Sequence, residues 1–265
     1  MTTPAIFLIH GMWSTPATFD GLRARLTAAG HVVHTPVLPF HEHSPDAPPP
    51  VELGQIGVAD YIDFLVAEIA RLPAVPVIGG HSMGGFLAQA VAARVEAPGL
   101  MLFAPAATAS TNAVAIDSLR TLSHVMTRGS WWKSPTKIDP EHARWGIYNG
   151  VPVDVADAEI AKLVWDSGRV LFEMGLPWLA KTTATRVDYA RLKMPALVIV
   201  GAADRITVPA IARATARAIT GPVDYHELPD TGHWLWHGAA GDRVADLALG
   251  WLRDQFSGGA NLASA

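Results

Sequence analysis

The chain has 265 residues, half of them apolar and 17% charged, with 20 Lys and Arg against 24 Asp and Glu for a formal net charge of -4. That balance excludes a disordered chain and gives no electrostatic footprint for DNA, RNA or an anionic membrane surface. The absence of cysteine excludes disulfides, thiolate nucleophiles and thiolate metal sites.

No segment approaches the roughly eighteen apolar residues needed to span a bilayer. The N-terminal MTTPAIFLIHG lacks a basic region and a long apolar core, so no membrane insertion and a cytoplasmic location are expected. The oligomeric state stays open.

Short apolar runs alternate with helical patterns, as in parallel strands joined by crossover helices. AIFLIH (5–10) reads as a buried strand, 18–29 as a helix with Leu22 and Leu26 four apart, and HVVHTPVL (31–38) as a second strand. A proline-rich loop (39–55) leads to a helix from Asp60 that puts Ile62, Leu65, Ile69 and Leu72 on one face. PVIGG (76–80), LMLFA (100–104), ALVIVG (196–201) and VDYHEL (223–228) are the remaining strands. Helices are expected after Gly84, over 209–219 and over 242–256, and SGGANLASA (257–265) is expected to fray.

Between Phe103 and Ala196 the strand signal disappears. AVAIDSLRTLSHVM (113–126) and ADAEIAKLVWDSGRVLFEM (156–174) carry helical periodicity instead, so 106–190 reads as a mainly helical insertion between two strands of one sheet.

The stretch Gly80-His81-Ser82-Met83-Gly84 lies between a strand and a helix. Glycines there can mark a mere tight connection, and the serine can simply cap the helix. The other reading is a nucleophile on a strained turn. Bulky residues two positions away on either side would collide with strand and helix, and the helix N-terminus favours negative charge near the reacting atom.

A serine hydroxyl is a weak nucleophile, so this reading demands a histidine base and a group that orients it. Asp204 follows ALVIVG and His233 follows VDYHEL, both at carboxyl ends of strands, the edge where open α/β sheets bind ligands. Asp230, three residues before His233, is the competing carboxylate, although its spacing favours a turn role. The oxyanion of the reaction needs two donors. The backbone N–H groups of Met83 and of Met12, in the loop His10-Gly11-Met12-Trp13, are assigned to it, with the Trp13 N–H as the alternative.

These motifs and their order, the HG loop at 10 and 11, GHSMGG at 80 to 85, Asp204 and then His233, resemble those of the α/β-hydrolase superfamily over nearly the whole chain. The resemblance implies an α/β-hydrolase core at 1–105 and 191–265. About six mostly parallel strands flanked by helices form it, without the two antiparallel N-terminal strands of longer members. It makes 106–190 a helical cap, or lid, inserted after LMLFA.

The implied activity is that of a carboxylesterase, a serine hydrolase with a Ser-His-Asp catalytic triad that cleaves esters, lactones or thioesters through an acyl-enzyme. Such chemistry requires no cofactor. Relatives with the same triad also include cofactor-free perhydrolases, carbon–carbon bond hydrolases, hydroxynitrile lyases and non-catalytic receptors, while a serine at the elbow counts against dehalogenase and epoxide hydrolase types.

Other polar groups compete for attention. His10 and His81 read as structural hydrogen-bonding groups, and His237 as a pocket or solvent residue. His31, His34, His41, Glu42, His43 and Asp46 carry ligand chemistry but no recognised metal spacing, so no metal is expected. GGHSMGG lacks the Lys-Ser/Thr of a phosphate loop.

The insertion carries Trp131, Trp132, Trp145, Trp165 and Trp178 beside Met126, Phe172 and Met174. Aromatic residues at helical spacing mostly pack against each other. Some must also face an apolar pocket, and Trp13, Trp131, Trp132, Trp165 and Trp178 are expected there. Their character favours a hydrophobic or aromatic small-molecule ester as substrate.

Overall fold

The computed structural model describes residues 4–113 and 115–256; the segment expected to fray, 257–265, lies outside them. Strands β1 (Ile6–Ile9), β2 (Val33–His34), β3 (Val77–His81) and β4 (Leu100–Phe103) form in chain order, and the first, third and fourth are buried at every residue. Runs of apolar residues without alternation do this because both faces of a parallel sheet are covered by helices. The covering helices are α1 (Asp20–Ala28), α2 (Val58–Ala70) and α3 (Met83–Val95). α3 is buried on all sides from Met83 to Ala93, which explains its alanine-rich sequence.

The segment after β4 holds α4 (Ile116–Met126), β5 (Pro135–Thr136), α5 (Pro140–Gly146), α6 (Val153–Ile160), β6 (Asp166–Ser167), α7 (Gly168–Gly175) and α8 (Pro177–Ala180). The chain then returns through β7 (Ala196–Gly201), α9 (Pro209–Ala218), β8 (Val223–Leu228) and α10 (Gly238–Phe256).

Six strands pair in the order β2-β1-β3-β4-β7-β8, every neighbour parallel, while β5 and β6 form a separate antiparallel pair. The order reverses between β1 and β3. Loops leaving the carboxyl ends of those two strands therefore diverge and leave a crevice at the switch point, where such sheets bind ligands. One core cluster fills the sheet and its helices. A second, centred on Trp131, Ile147 and Tyr148, lies within the inserted segment and takes Trp13 into it.

Two expectations change. β2 is only two residues long: it is the sheet's edge, and Pro36 has no N–H to continue the ladder. The helical pattern over 156–174 is split into α6 and α7 with β6 between them, because Asp166 is drawn into long-range hydrogen bonds. Tertiary contacts override local periodicity there.

Candidate active site

Ser82 occupies the bend between β3 and α3 with φ 56° and ψ -121°, a left-handed backbone that costs a non-glycine residue on the order of 1–3 kcal/mol. Its neighbours permit the bend. A Cβ on Gly80 would stand 2.1 Å from the Gly84 carbonyl oxygen, and one on Gly84 would stand 1.9 Å from that of Ile9, so any side chain at either position must unpack β1 or α3. Gly11, across the crevice, would bring a Cβ to 3.1 Å from Ser82 Cβ. The Ser82 side chain makes no capping bond to α3, which removes the plain reading of this serine as a helix cap.

The acid and the histidine meet. His233 Nδ1 lies 2.7 Å from Asp204 Oδ2, with the two side chains only 2% and 0% exposed. A carboxylate only accepts, so Nδ1 carries the hydrogen and a neutral ring leaves Nε2 bare. Asp204 is itself held: Oδ1 accepts from the Ile206 and Thr207 N–H groups at 2.9 Å, and Thr207 Oγ1 stands 2.9 Å from Oδ2. Sequence reasoning missed Thr207, which also lies 3.1 Å from His233 Nδ1; its spacing from Asp204 was the only available signal.

Asp230 instead occupies an exposed turn with φ 52°, as its spacing suggested. His81 donates from Nε2 to the His233 carbonyl at 3.1 Å, and burial, then the neighbouring His233, push its own pKa well below the ordinary value. A neutral His81 thus buttresses the loop that carries His233.

Ser82 and His233 line one cavity of about 360 Å³ with a mainly apolar wall, and Met12 and Met83 line it too. No hydrogen bond joins Ser82 to His233 among the described residues, and the serine hydroxyl is left open to the cavity. Met83 begins α3, so its N–H lacks a helical partner. The Trp13 N–H is occupied by Asp166 Oδ2 at 3.1 Å, which withdraws it as the alternative oxyanion donor and leaves Met12.

A family model described as the alpha/beta hydrolase family matches residues 6–247. The chain belongs to this family.

Among solved structures, this hydrolase-family chain is similar to a monoacylglycerol lipase from Paleococcus ferrophilus, with 20% identity, a TM-score of 0.68 and coverage of 96% of this chain and 97% of that one. A methylesterase from Arabidopsis gives 15% identity, a TM-score of 0.68 and coverage of 93% and 98%. A pyrethroid hydrolase from Sphingobium faniae gives 20%, 0.65, and coverage of 95% and 98%. A search of curated proteins finds no match.

Of the tryptophans expected at the pocket, Trp13, Trp131 and Trp178 line the cavity, joined by Trp234. Trp132 and Trp165 are not among the lining residues. Trp132 stacks outward on Trp131 and Phe172 with 40% of its surface exposed, and Trp165 is half-buried between the buried Val164 and Asp166. Trp145 is held between Arg120 and Arg205, 3.5 and 3.9 Å from its ring centre, and His237 is half-buried away from the cavity lining.

The histidine-rich stretch disperses. His31 turns to the Pro4 carbonyl, His41 is buried against Asp166, and Glu42, His43 and Asp46 face solvent. The one group of metal-ligand type among the described residues is elsewhere, at His124, Asp139 and His142. Asp139 there caps α5 by accepting from the Glu141 and His142 N–H groups, and its other oxygen pairs with His142 at 2.7 Å. The capping of α5 accounts for the position of Asp139 in that group.

Proposed function

We propose that the protein is a serine hydrolase that cleaves carboxylic esters, lactones or thioesters of hydrophobic or aromatic small molecules through an acyl-enzyme on Ser82. The observation that carries this reading is the buried 2.7 Å contact of His233 Nδ1 with Asp204, in a cavity that also exposes Ser82 on a strained turn. With Nδ1 fixed by Asp204, Nε2 is the proton acceptor. The uncommitted Ser82 hydroxyl is the proton donor to that nitrogen, a bond of the kind that often tightens only once substrate is bound.

Ser82 attacks the carbonyl, the Met12 and Met83 N–H groups hold the oxyanion, and His233 returns the proton to the leaving alcohol. Water then releases the acid by the same steps in reverse roles, with Asp204 stabilising the transient imidazolium.

Residues 106–190 act as a lid over the pocket. Leu119, Leu122, Met126 and Trp178 contribute apolar surface to the cavity, which suits a small apolar acyl or alcohol group and excludes water from the reacting carbonyl. The names of similar structures, a lipase, a methylesterase and a hydrolase, support the same reading.

Hydrolysis of p-nitrophenyl esters of graded chain length tests the proposal. Turnover that disappears in Ser82→Ala supports it; peroxide-dependent chlorination of monochlorodimedone in place of ester turnover would assign the triad to perhydrolysis.

A further inference from the structure

Trp13 directly follows the oxyanion donor assigned above, and its backbone is strained at φ 59°. Every polar group of this residue is held from the inserted segment. Its N–H donates to Asp166 Oδ2 at 3.1 Å, its carbonyl accepts from the Val164 N–H at 2.8 Å, and its indole N–H reaches Thr136 Oγ1 at 3.4 Å. The ring itself packs in the hydrophobic cluster of that segment. The loop on one side of the crevice is therefore shaped by chain more than a hundred residues away.

Asp166 is fully buried, and its hydrogen-bond partners fix its charge. Oδ2 accepts from Trp13 and from His41 Nε2 at 3.0 Å; Oδ1 accepts from the Tyr61 hydroxyl at 2.9 Å and the Ser167 N–H at 2.6 Å. Four donors occupy the four positions of the group, leaving none for its own proton. His41 has acceptors at both nitrogens, the Pro39 carbonyl at 3.1 Å from Nδ1 and the carboxylate at Nε2, so both carry hydrogen.

Burial opposes both charges, but the mutual attraction and hydrogen bonds outweigh it, holding Asp166 below and His41 above their ordinary values. His10, whose ring centre is 5.0 Å from that of His41, is the opposite case: Nδ1 donates to the Gly11 carbonyl, Nε2 accepts from the Leu38 N–H, and the ring is neutral.

A buried carboxylate with a full set of donors fixes geometry far more firmly than a surface contact would, because breaking any member leaves a desolvated charge. We infer that Asp166 is a positioning residue of the reaction, holding the Trp13 amide so that the strained loop presents the Met12 N–H to the oxyanion, while His41 neutralises a carboxylate that would otherwise repel it. This inference rests on the hydrolase reading above. It makes the inserted segment part of the catalytic geometry as well as a cover.

The test combines Asp166→Asn, which keeps the shape but cannot offer two acceptor oxygens, with two readouts. In ester turnover, kcat is expected to fall about 10- to 100-fold with KM changed less than about threefold, the pattern of a displaced transition-state donor. In amide hydrogen exchange, residues 10–14 of the free protein are expected to exchange faster in the variant. Unchanged exchange there, or faster exchange with unchanged kcat, overturns the proposal.

The exchange arm does not depend on the reaction. A wild type that turns over no ester, with a variant whose loop exchanges faster, would condemn the hydrolase reading while leaving the anchor supported. If Asp166→Asn does not fold, His41→Asn takes its place. It leaves the Asp166 charge uncompensated beside the oxyanion, so kcat falls at least about tenfold at constant KM, and an unchanged kcat overturns the role.

Discussion

The two walls of the crevice are held in place by different physics. On the β3 side, Ser82 is fixed by backbone sterics: Gly80 and Gly84 let strand and helix approach so closely that only one bend remains. On the β1 side, the loop at Met12 and Trp13 is fixed by a buried charge and polar bonds from Asp166, Val164 and Thr136. The glycines that grant steric control stand beside Ser82 in the chain, whereas the groups of the polar wall are assembled from distant residues. The first is rigid by exclusion, and the second depends on protonation.

The largest effect is expected at the acid that serves the steric wall. Asp204→Asn should lower kcat by about 10³- to 10⁴-fold by disturbing the imidazole tautomer, as measured by steady-state ester hydrolysis. Asp230→Asn should leave kcat within about twofold, since that exposed turn residue makes no contact with the imidazole Nδ1, which is committed to Asp204 and Thr207. A reversed ranking would move the orienting role to Asp230.

Next comes the steric wall itself. Gly84→Ala places a Cβ against the Ile9 carbonyl, and a loss of about 3 kcal/mol or more is expected in urea unfolding.

The pH response of the polar wall follows. His10 is pushed down to about 3, by burial first and then by the His41 charge, and His81 is also lowered. Below the ordinary value of 6.5 the unfolded chain therefore binds protons that the folded one refuses, and stability falls with falling pH. His41 has the opposite sign: its folded pKa is raised, so its contribution is complete below 6.5 and is lost as pH rises through the folded value.

The groups facing His41 are Asp166, Tyr61 and His10, and none of them gains charge as pH rises from 6.5 through that window. Stability should peak near pH 6.5 in denaturant titrations, and His41→Gln should flatten the alkaline limb while also changing the acid one, since the lost charge helps hold His10 and Asp166 below their ordinary values. An alkaline limb that persists unchanged in that variant would detach His41 from the response.

The smallest effect belongs to a glycine outside both walls. A Cβ on Gly21, in α1, would meet nothing within 4 Å, so Gly21→Ala should stabilise by about 0.5–1 kcal/mol in the same urea unfolding.

The same division explains what the sequence made legible. Continuous apolar runs announced β1, β3, β4 and β7, and glycine spacing announced the Ser82 turn, because the residues that must be small stand two positions either side of the serine. Asp204 and His233 were readable from their positions after β7 and β8. Asp166 was not, since nothing in AKLVWDSG distinguishes a fully buried carboxylate from a solvated helical one; its four partners come from Trp13, His41, Tyr61 and Ser167. The pocket tryptophans were legible as a set but not individually, since which ring turns inward depends on the packing of α7 and on short strands that local periodicity missed.

The central claim is that Ser82 is made nucleophilic by His233. The most direct measurement is peptide mapping after reaction with a fluorophosphonate, with the labelling rate compared between wild type and His233→Ala. A single adduct on Ser82 is expected, with labelling slowed at least about 100-fold in the variant. An unlabelled Ser82 in the folded wild type, or a rate indifferent to the loss of the imidazole, would contradict it.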